Sequence, residues 1–314
     1  MGGSGGGGSS FGRKSPEELR DAVRKAEDSS SVKQFEVKLG RTLSDLLGAY
    51  NSRDAQVVQD RLDAIRAALQ DEIDGAFDSL FGGSVAKHTY VDGLSDIDSL
   101  ILLNDSDLEN HSPQRALDKM SVIIKAAMPA TTTVTHGQMA VTVEYGDGMV
   151  VQLLPAIKGA DGYVHVPSSR RDAWSEINPM AFREALTKRN NACGGKLVPT
   201  IKLAKAINGE LPEGQRLSGY HMESLAIAAF RGYAGEKTTS AMLPAFFERA
   251  RDLVLSPIRD STGQSVHVDS YLGPANSPER QAASHLLGRL ARRMRNATAA
   301  ASVAQWKALF GLEP

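Results

Sequence analysis

Apolar and polar positions follow different rhythms along this chain, and the changes of rhythm divide it. Over residues 54–80, Val57, Val58, Leu62, Ile65, Leu69, Ile73 and Phe77 recur at helical spacing. That stripe predicts an amphipathic helix stopped by Gly82-Gly83. Ahead of it, Ser15-Pro16-Glu17-Glu18 reads as a helix start: a capping serine, a proline at the first helical position, and acids at the positive helix end. Leu19, Val23 and Ala26 give this first helix a short stripe, and a second helical stretch covers 32–50. The period then shortens. Residues 97–103 and the β-branched 131–135 read as strands, with a helix at 113–127 between them. Strands at 139–145 and 149–154 flank Gly146-Asp147-Gly148, a hairpin signal. From about residue 167 the helical period returns, at 179–190, 196–208, 220–233, 238–255 and 278–297, with a short helix around Trp306. A helical lead, a β-rich middle and a helical second half suggest an α+β fold rather than regular βαβ alternation.

Composition narrows the classes. The 314 residues carry 36 Lys+Arg against 37 Asp+Glu, a net charge of −1, with 41% hydrophobic residues. A disordered chain is excluded over most of the length. No apolar run approaches the roughly 18 residues that span a bilayer. A soluble, cytoplasmic protein is expected, without stable DNA binding, although a local basic groove stays open. Cys193 is the sole cysteine and can form neither an internal disulfide nor a zinc site alone. Residues 1–10 are a Gly/Ser segment with nothing to bury, and 1–14 are set aside as a flexible tail.

The chemistry concentrates between Gly82 and Asp98. After Gly82-Gly83-Ser84 and a short spacer comes Ser95-Asp96-Ile97-Asp98, leading into an apolar strand. Positions i and i+2 of a strand share a face, so Asp96 and Asp98 project side by side. Adjacent carboxylates repel unless positive charge lies between them. Oxygen ligands of this kind suit Mg²⁺, which keeps waters and substrate phosphates as further ligands. The Gly-Ser turn could offer backbone N–H groups and a hydroxyl to a triphosphate. A solvated acidic loop is the plain alternative, but the joint pattern is much rarer than Asp-x-Asp alone.

On these residues the chain resembles the polymerase-β-type nucleotidyltransferases, and more narrowly the bacterial cGAS/DncV-like enzymes (CD-NTases) of cyclic-oligonucleotide antiphage (CBASS) systems. Supporting segments are Leu154-Pro155-Ala156, Lys202-Leu203-Ala204-Lys205, Ser218-Gly219-Tyr220-His221-Met222-Glu223 and Asp260-Ser261-Thr262-Gly263-Gln264. The resemblance implies a mixed-sheet core lobe with a long N-terminal helix (15–166), a helical lobe (167–314) and an active site in the cleft between. It implies transfer of a nucleotidyl group from an NTP, ATP expected among them, to a ribose hydroxyl with Mg²⁺ or Mn²⁺. Asp96 and Asp98 would hold metal; Gly83, Ser84, Thr89, Lys205, Ser218 and Tyr220 would bind the nucleotide. Accessory CBASS proteins are implied as partners.

One position departs from the family. The third carboxylate expected before the hydrophobic-Pro-Ala step is Gln152. A glutamine can ligate a hard cation through its carbonyl but adds no charge and is a far poorer base. Glu144 could substitute if Gly146-Asp147-Gly148 forms the whole loop, because Glu144 then shares a face with Gln152; a two-residue loop flips the parity. Catalysis with two acids and Gln152, rescue by Glu144, and nucleotide binding without turnover all stay open.

The remaining residues divide by spacing. Lys202 and Lys205 lie three apart on one helix and can share a face. Lys202 is read as solvated, and Lys205 as the triphosphate lysine that the resemblance implies. Ser218 is either a phosphate contact or a helix cap, and Tyr220 either stacks on a base or fills the core. His88 in the spacer is read as incidental, and His267-x-Asp269 as part of a packed loop. Arg280, Arg289, Arg292, Arg293 and Arg295 are read as the solvated face of an amphipathic helix. Cys193 lacks a paired base for a nucleophile. Competing functions are a cyclic di- or trinucleotide synthase, an RNA- or tRNA-end nucleotidyltransferase, and a catalytically silent nucleotide-binding regulator.

Overall fold

The computed structural model describes residues 16–50, 55–73, 78–81, 97–159, 163–168, 172–177, 179–258 and 269–313. Among the described residues, seven strands form one mixed sheet: β1 (Asp78–Phe81), β2 (Ile97–Leu102), β3 (Thr133–His136), β4 (Val141–Glu144), β5 (Val150–Lys158), β6 (Val164–Pro167) and β7 (Trp174–Ile177). The order is β1-β2-β5-β4-β3, with β6 paired to β5 and β7 to β6. Only β2 and β5 pair in parallel among these strands. A parallel pair needs a crossover, and this one carries a helix, α3 (Pro113–Ala127). Ser112 caps α3 by accepting from the Arg115 N–H, and Pro113 opens it.

Alternation decides which face is dry. In β4 the sequence Val-Thr-Val-Glu buries both valines fully while Glu144 is exposed. Val141, Val143, Val151 and Leu153 pack with Ile65 and Leu69 of α2 (Ala55–Glu72) and with Leu117, Met120 and Ile124 of α3. Each such side chain contributes roughly 1.5–3 kcal/mol of burial. The hairpin between β4 and β5 is tied to α2. Arg61 donates to both oxygens of Asp147 at 2.9 and 2.8 Å and lies 4.0 Å from the Tyr145 ring centroid. The Arg61 hydrogen bond, seconded by the Met149 N–H, holds the Asp147 carboxyl down at about 2.

A second, larger core lies among α4 (Pro179–Ala192), α5 (Leu197–Gly209), α6 (Gly219–Ala229), α7 (Thr239–Leu253), α8 (Pro278–Ala299) and α9 (Val303–Lys307). α5 is apolar on nearly every side, with Leu197, Ile201, Leu203, Ala204, Ala206 and Ile207 all buried, as a central helix must be. The long α1 (Pro16–Tyr50) joins this second cluster through Phe35, Leu39 and Leu43.

The α+β class and the elements at 113–127 and beyond 179 match the sequence reading. Four features differ. The first two helical stretches are one helix, since 27–31 contain neither glycine nor proline to break it. The helix expected over 54–80 ends at Glu72, because Asp78–Phe81 is drawn into the sheet, with Leu80 opposite Leu100. β7 occupies a stretch expected to be turning helical, where it pairs with β6. Finally, Arg280 is wholly buried rather than solvated, whereas Arg289, Arg292, Arg293 and Arg295 are exposed.

Candidate active site

The sheet side of the site is set by register. Asp98 on β2 stands opposite Gln152 on β5, and Gln152 stands opposite Thr142 on β4. Thr142 is in turn opposite Thr135 on β3. Residues paired across strands share a face. Positions 98, 152, 142 and 135 therefore form one row, on the face away from α2 and α3. Farther along this face the row turns apolar: Leu100, Leu102 and Ala156 cluster with Val164 and Val166. The polar row and the apolar cluster together leave one end of the face for polar chemistry.

The loop between β4 and β5 has three residues. Tyr145 donates its N–H to the Met149 carbonyl at 2.8 Å, and Gly148 donates to Tyr145 at 2.9 Å. Gly148 takes a φ of 82°, the left-handed turn that a residue without Cβ accepts most easily. Glu144 consequently pairs with Val150 and shares the face of Gln152. Sharing a face is not proximity to Asp98, however. Two strand spacings and two residues of offset separate their backbones by roughly 12 Å. Side chains standing off the sheet cannot close that gap onto one cation with ligand distances near 2.1 Å. Gln152, directly opposite Asp98, is the oxygen donor that the row provides, and Thr142 is a neighbour the sequence reading did not single out. Its only signal was the polar place in Val-Thr-Val-Glu.

Gly83, Ser84, Thr89 and Asp96 lie outside the described residues, as do His88 and His267. Of the acidic pair, the backbone of Asp98 alone is placed. An anionic position opposite a neutral carbonyl donor fits a hard divalent cation.

The helical contribution comes from α5 and α6. Lys205 is buried, and its Nζ donates to Oε1 of Glu223 at 2.8 Å; Glu223 is buried as well. A buried ammonium needs such a partner, since an unpaired charge there is prohibitively costly. The first turn of α6 rests on this lysine. A Cβ at Gly219 would lie 3.4 Å from Lys205 Nζ, so glycine keeps that approach open. Lys205 thus sits under the helix start that Ser218 caps, its Oγ accepting from the His221 N–H at 3.2 Å. Ser218 and Gly219 themselves are exposed. Tyr220 is half-buried and stacks at 4.6 Å, tilted by 43°, on Phe182 of α4. Burial, then the charge of Lys205, lowers the Lys202 pKa. The structure therefore brings Lys205, Ser218 and Gly219 together and adds Glu223, to which the sequence reading gave no role. Asp269 is fully buried against Arg280, as its packed-loop reading required.

Residues 38–190 match the family described as Second Messenger Oligonucleotide or Dinucleotide Synthetase domain (SMODS). No curated protein matches the chain in sequence. Among solved structures, CdnC of E. coli MS115-1 with ATP is 19% identical, with 90% of this chain and 97% of that one covered and a TM-score of 0.58. The Bradyrhizobium diazoefficiens CD-NTase CdnG in complex with GTP is 16% identical over 80% of this chain and 88% of its own, with a TM-score of 0.60. Vibrio cholerae DncV cyclic AMP-GMP synthase, bound to a linear pppA(3′,5′)pG intermediate, is 13% identical over 95% and 90%, with a TM-score of 0.60. At these identities the likeness establishes the fold.

Proposed function

We propose, from the match of residues 38–190 to the SMODS family and from the CD-NTase-like fold, that this chain is a metal-dependent nucleotidyltransferase that makes a cyclic di- or trinucleotide from NTPs. The observation that carries this reading is the row Asp98–Gln152–Thr142 on the open sheet face, supplied with the Asp96-Ile97-Asp98 motif. In this reading Asp96, Asp98 and the Gln152 carbonyl hold Mg²⁺ or Mn²⁺. Such ions neutralise triphosphate charge and stabilise attacking and leaving oxygens. Gly83, Ser84, Thr89, Lys205 and Ser218 bind phosphates, and Tyr220 lies beside a base. Lys205 acts as a point charge, and its pairing with Glu223 fixes where that charge sits. The antiphage setting and accessory proteins follow from the resemblance, and a cytoplasmic location from the composition; no described helix is long and apolar enough to cross a membrane.

Gln152 supports a second reading, a nucleotide-binding regulator without turnover. Incubation with four radiolabelled NTPs and Mg²⁺ or Mn²⁺, resolved after phosphatase treatment, separates the two. A phosphatase-resistant product absent from an Asp96→Ala/Asp98→Ala variant is expected. NTP binding with no product under either metal would overturn the synthase in favour of the regulator. A product that required added RNA would favour end extension instead.

A further inference from the structure

A chain of polar groups, buried from His221 inward, runs behind the first turn of α6 and has no part in the scheme above. Tyr271 Oη accepts from the Ser218 backbone N–H at 3.1 Å and lies 2.8 Å from His221 Nδ1. His221 Nε2 faces Asp269 Oδ2 at 3.7 Å, too long for a hydrogen bond, and has no other partner among the described residues. Asp269 is anchored in turn. Its Oδ2 accepts from Arg280 Nη1 at 2.6 Å, and the Ile258 N–H points at both its oxygens. Arg280 also donates to the carbonyls of Val254, Gly273 and Pro274. His221, Asp269 and Arg280 are each fully buried, while Tyr271 is half exposed.

The Ser218 N–H occupies one lone pair of Oη, and the phenol keeps a proton that it can donate to His221 Nδ1; in that tautomer the imidazole proton sits on Nε2, facing the carboxylate. Burial outweighs the attraction of Asp269 and depresses the His221 pKa to about 4, so the ring is neutral. The order Tyr–His–Asp is also that of an activated nucleophile. Burial raises the phenol pKa of Tyr271, however, which works against its ionisation.

We infer that Tyr271, backed by His221, Asp269 and Arg280, is a positioning residue that fixes the Ser218-Gly219-Tyr220 turn for the nucleotide. This rests on the proposed function. Ser218 is held at two points: its Oγ by the His221 N–H and its own N–H by Tyr271. The same histidine meets both, through backbone and ring, so the turn and the relay move together. Arg280 sits on α8 and Asp269 just ahead of it, so the turn is referenced to the core of the helical half rather than to an exposed loop. Holding a binding group in its bound geometry lowers the ordering cost of association.

The test is equilibrium binding of non-hydrolysable ATP and GTP analogues with Mg²⁺, with thermal melting alongside. Tyr271→Phe keeps the ring and removes the hydroxyl. The dissociation constant is expected to rise about three- to tenfold, the range of one lost hydrogen bond, with the melting temperature nearly unchanged and turnover at saturation largely kept. Wild-type binding retained at full strength in Tyr271→Phe would overturn the inference and leave the proposed function standing. No analogue binding by the wild-type chain would overturn both. If Tyr271→Phe also melts early, a double-mutant cycle with Ser218→Ala decides: additive losses in affinity overturn the link, and coupled losses support it.

Discussion

The sheet face and the α5–α6 pair position their polar groups by opposite means. On the sheet, backbone register does the placing. Asp98, Gln152 and Thr142 line up because their strands pair, with a core of valines and leucines behind them. In the helical half, side chains do the placing. Lys205 is held by Glu223, and Ser218 by Tyr271, with His221, Asp269 and Arg280 buried behind. A ladder tolerates loss of one side chain, whereas a buried network does not. Mutations on the two sides should therefore fail differently.

The largest expected effect is on the sheet. Asp98→Ala should cut product formation roughly 10³-fold or more, equivalent to about 4 kcal/mol, with the urea midpoint nearly unmoved. A large loss of stability would break the contrast. Arg280→Met should do the reverse. Removing one partner of a buried pair costs roughly 3–5 kcal/mol, read as a lower urea midpoint. A stability change under about 1 kcal/mol would show that the network is not a unit.

Acid sharpens the comparison. His221 has a folded pKa of about 4, below its ordinary 6.5, and it is faced by Asp269, Arg280 and Tyr271. Between these values the unfolded chain binds more protons than the folded one. The histidine's contribution is therefore complete above pH 6.5 and lost as pH falls toward 4, on the order of 1–3 kcal/mol. His221→Gln should flatten that slope. The smallest effect belongs to the exposed hairpin clamp: Arg61→Ala should cost about 1 kcal/mol or less, and a larger loss would mean that the β4–β5 register depends on it.

These differences also explain what could be read from the chain beforehand. Period-2 alternation in Val141–Glu144 and the Gly146-Asp147-Gly148 turn made the hairpin legible, and the loop length then placed Glu144 and Gln152 on one face. β1 was hidden because Phe77 and Leu80 extend the helical stripe of α2 in phase; strand pairing, which has no local signal, took Asp78–Phe81 instead. Arg280 was hidden because arginines recur along α8, and nothing local separates the one that turns inward to Asp269. Tyr271 was passed over for the same reason: its role depends on Ser218 and His221, some 50 residues earlier in the chain.

α1 adds a consequence for synthesis on the ribosome. Phe35, Leu39 and Leu43 find their partners among helices that begin at Pro179, more than a hundred residues later. The strands and α2 and α3 are complete before those helices emerge. The sheet half can fold in passing, while a helix of 35 residues, about 52 Å long, carries apolar side chains whose partners have not yet been made. Between those two moments the Phe35, Leu39 and Leu43 stripe has no core to enter and lies open to a chaperone.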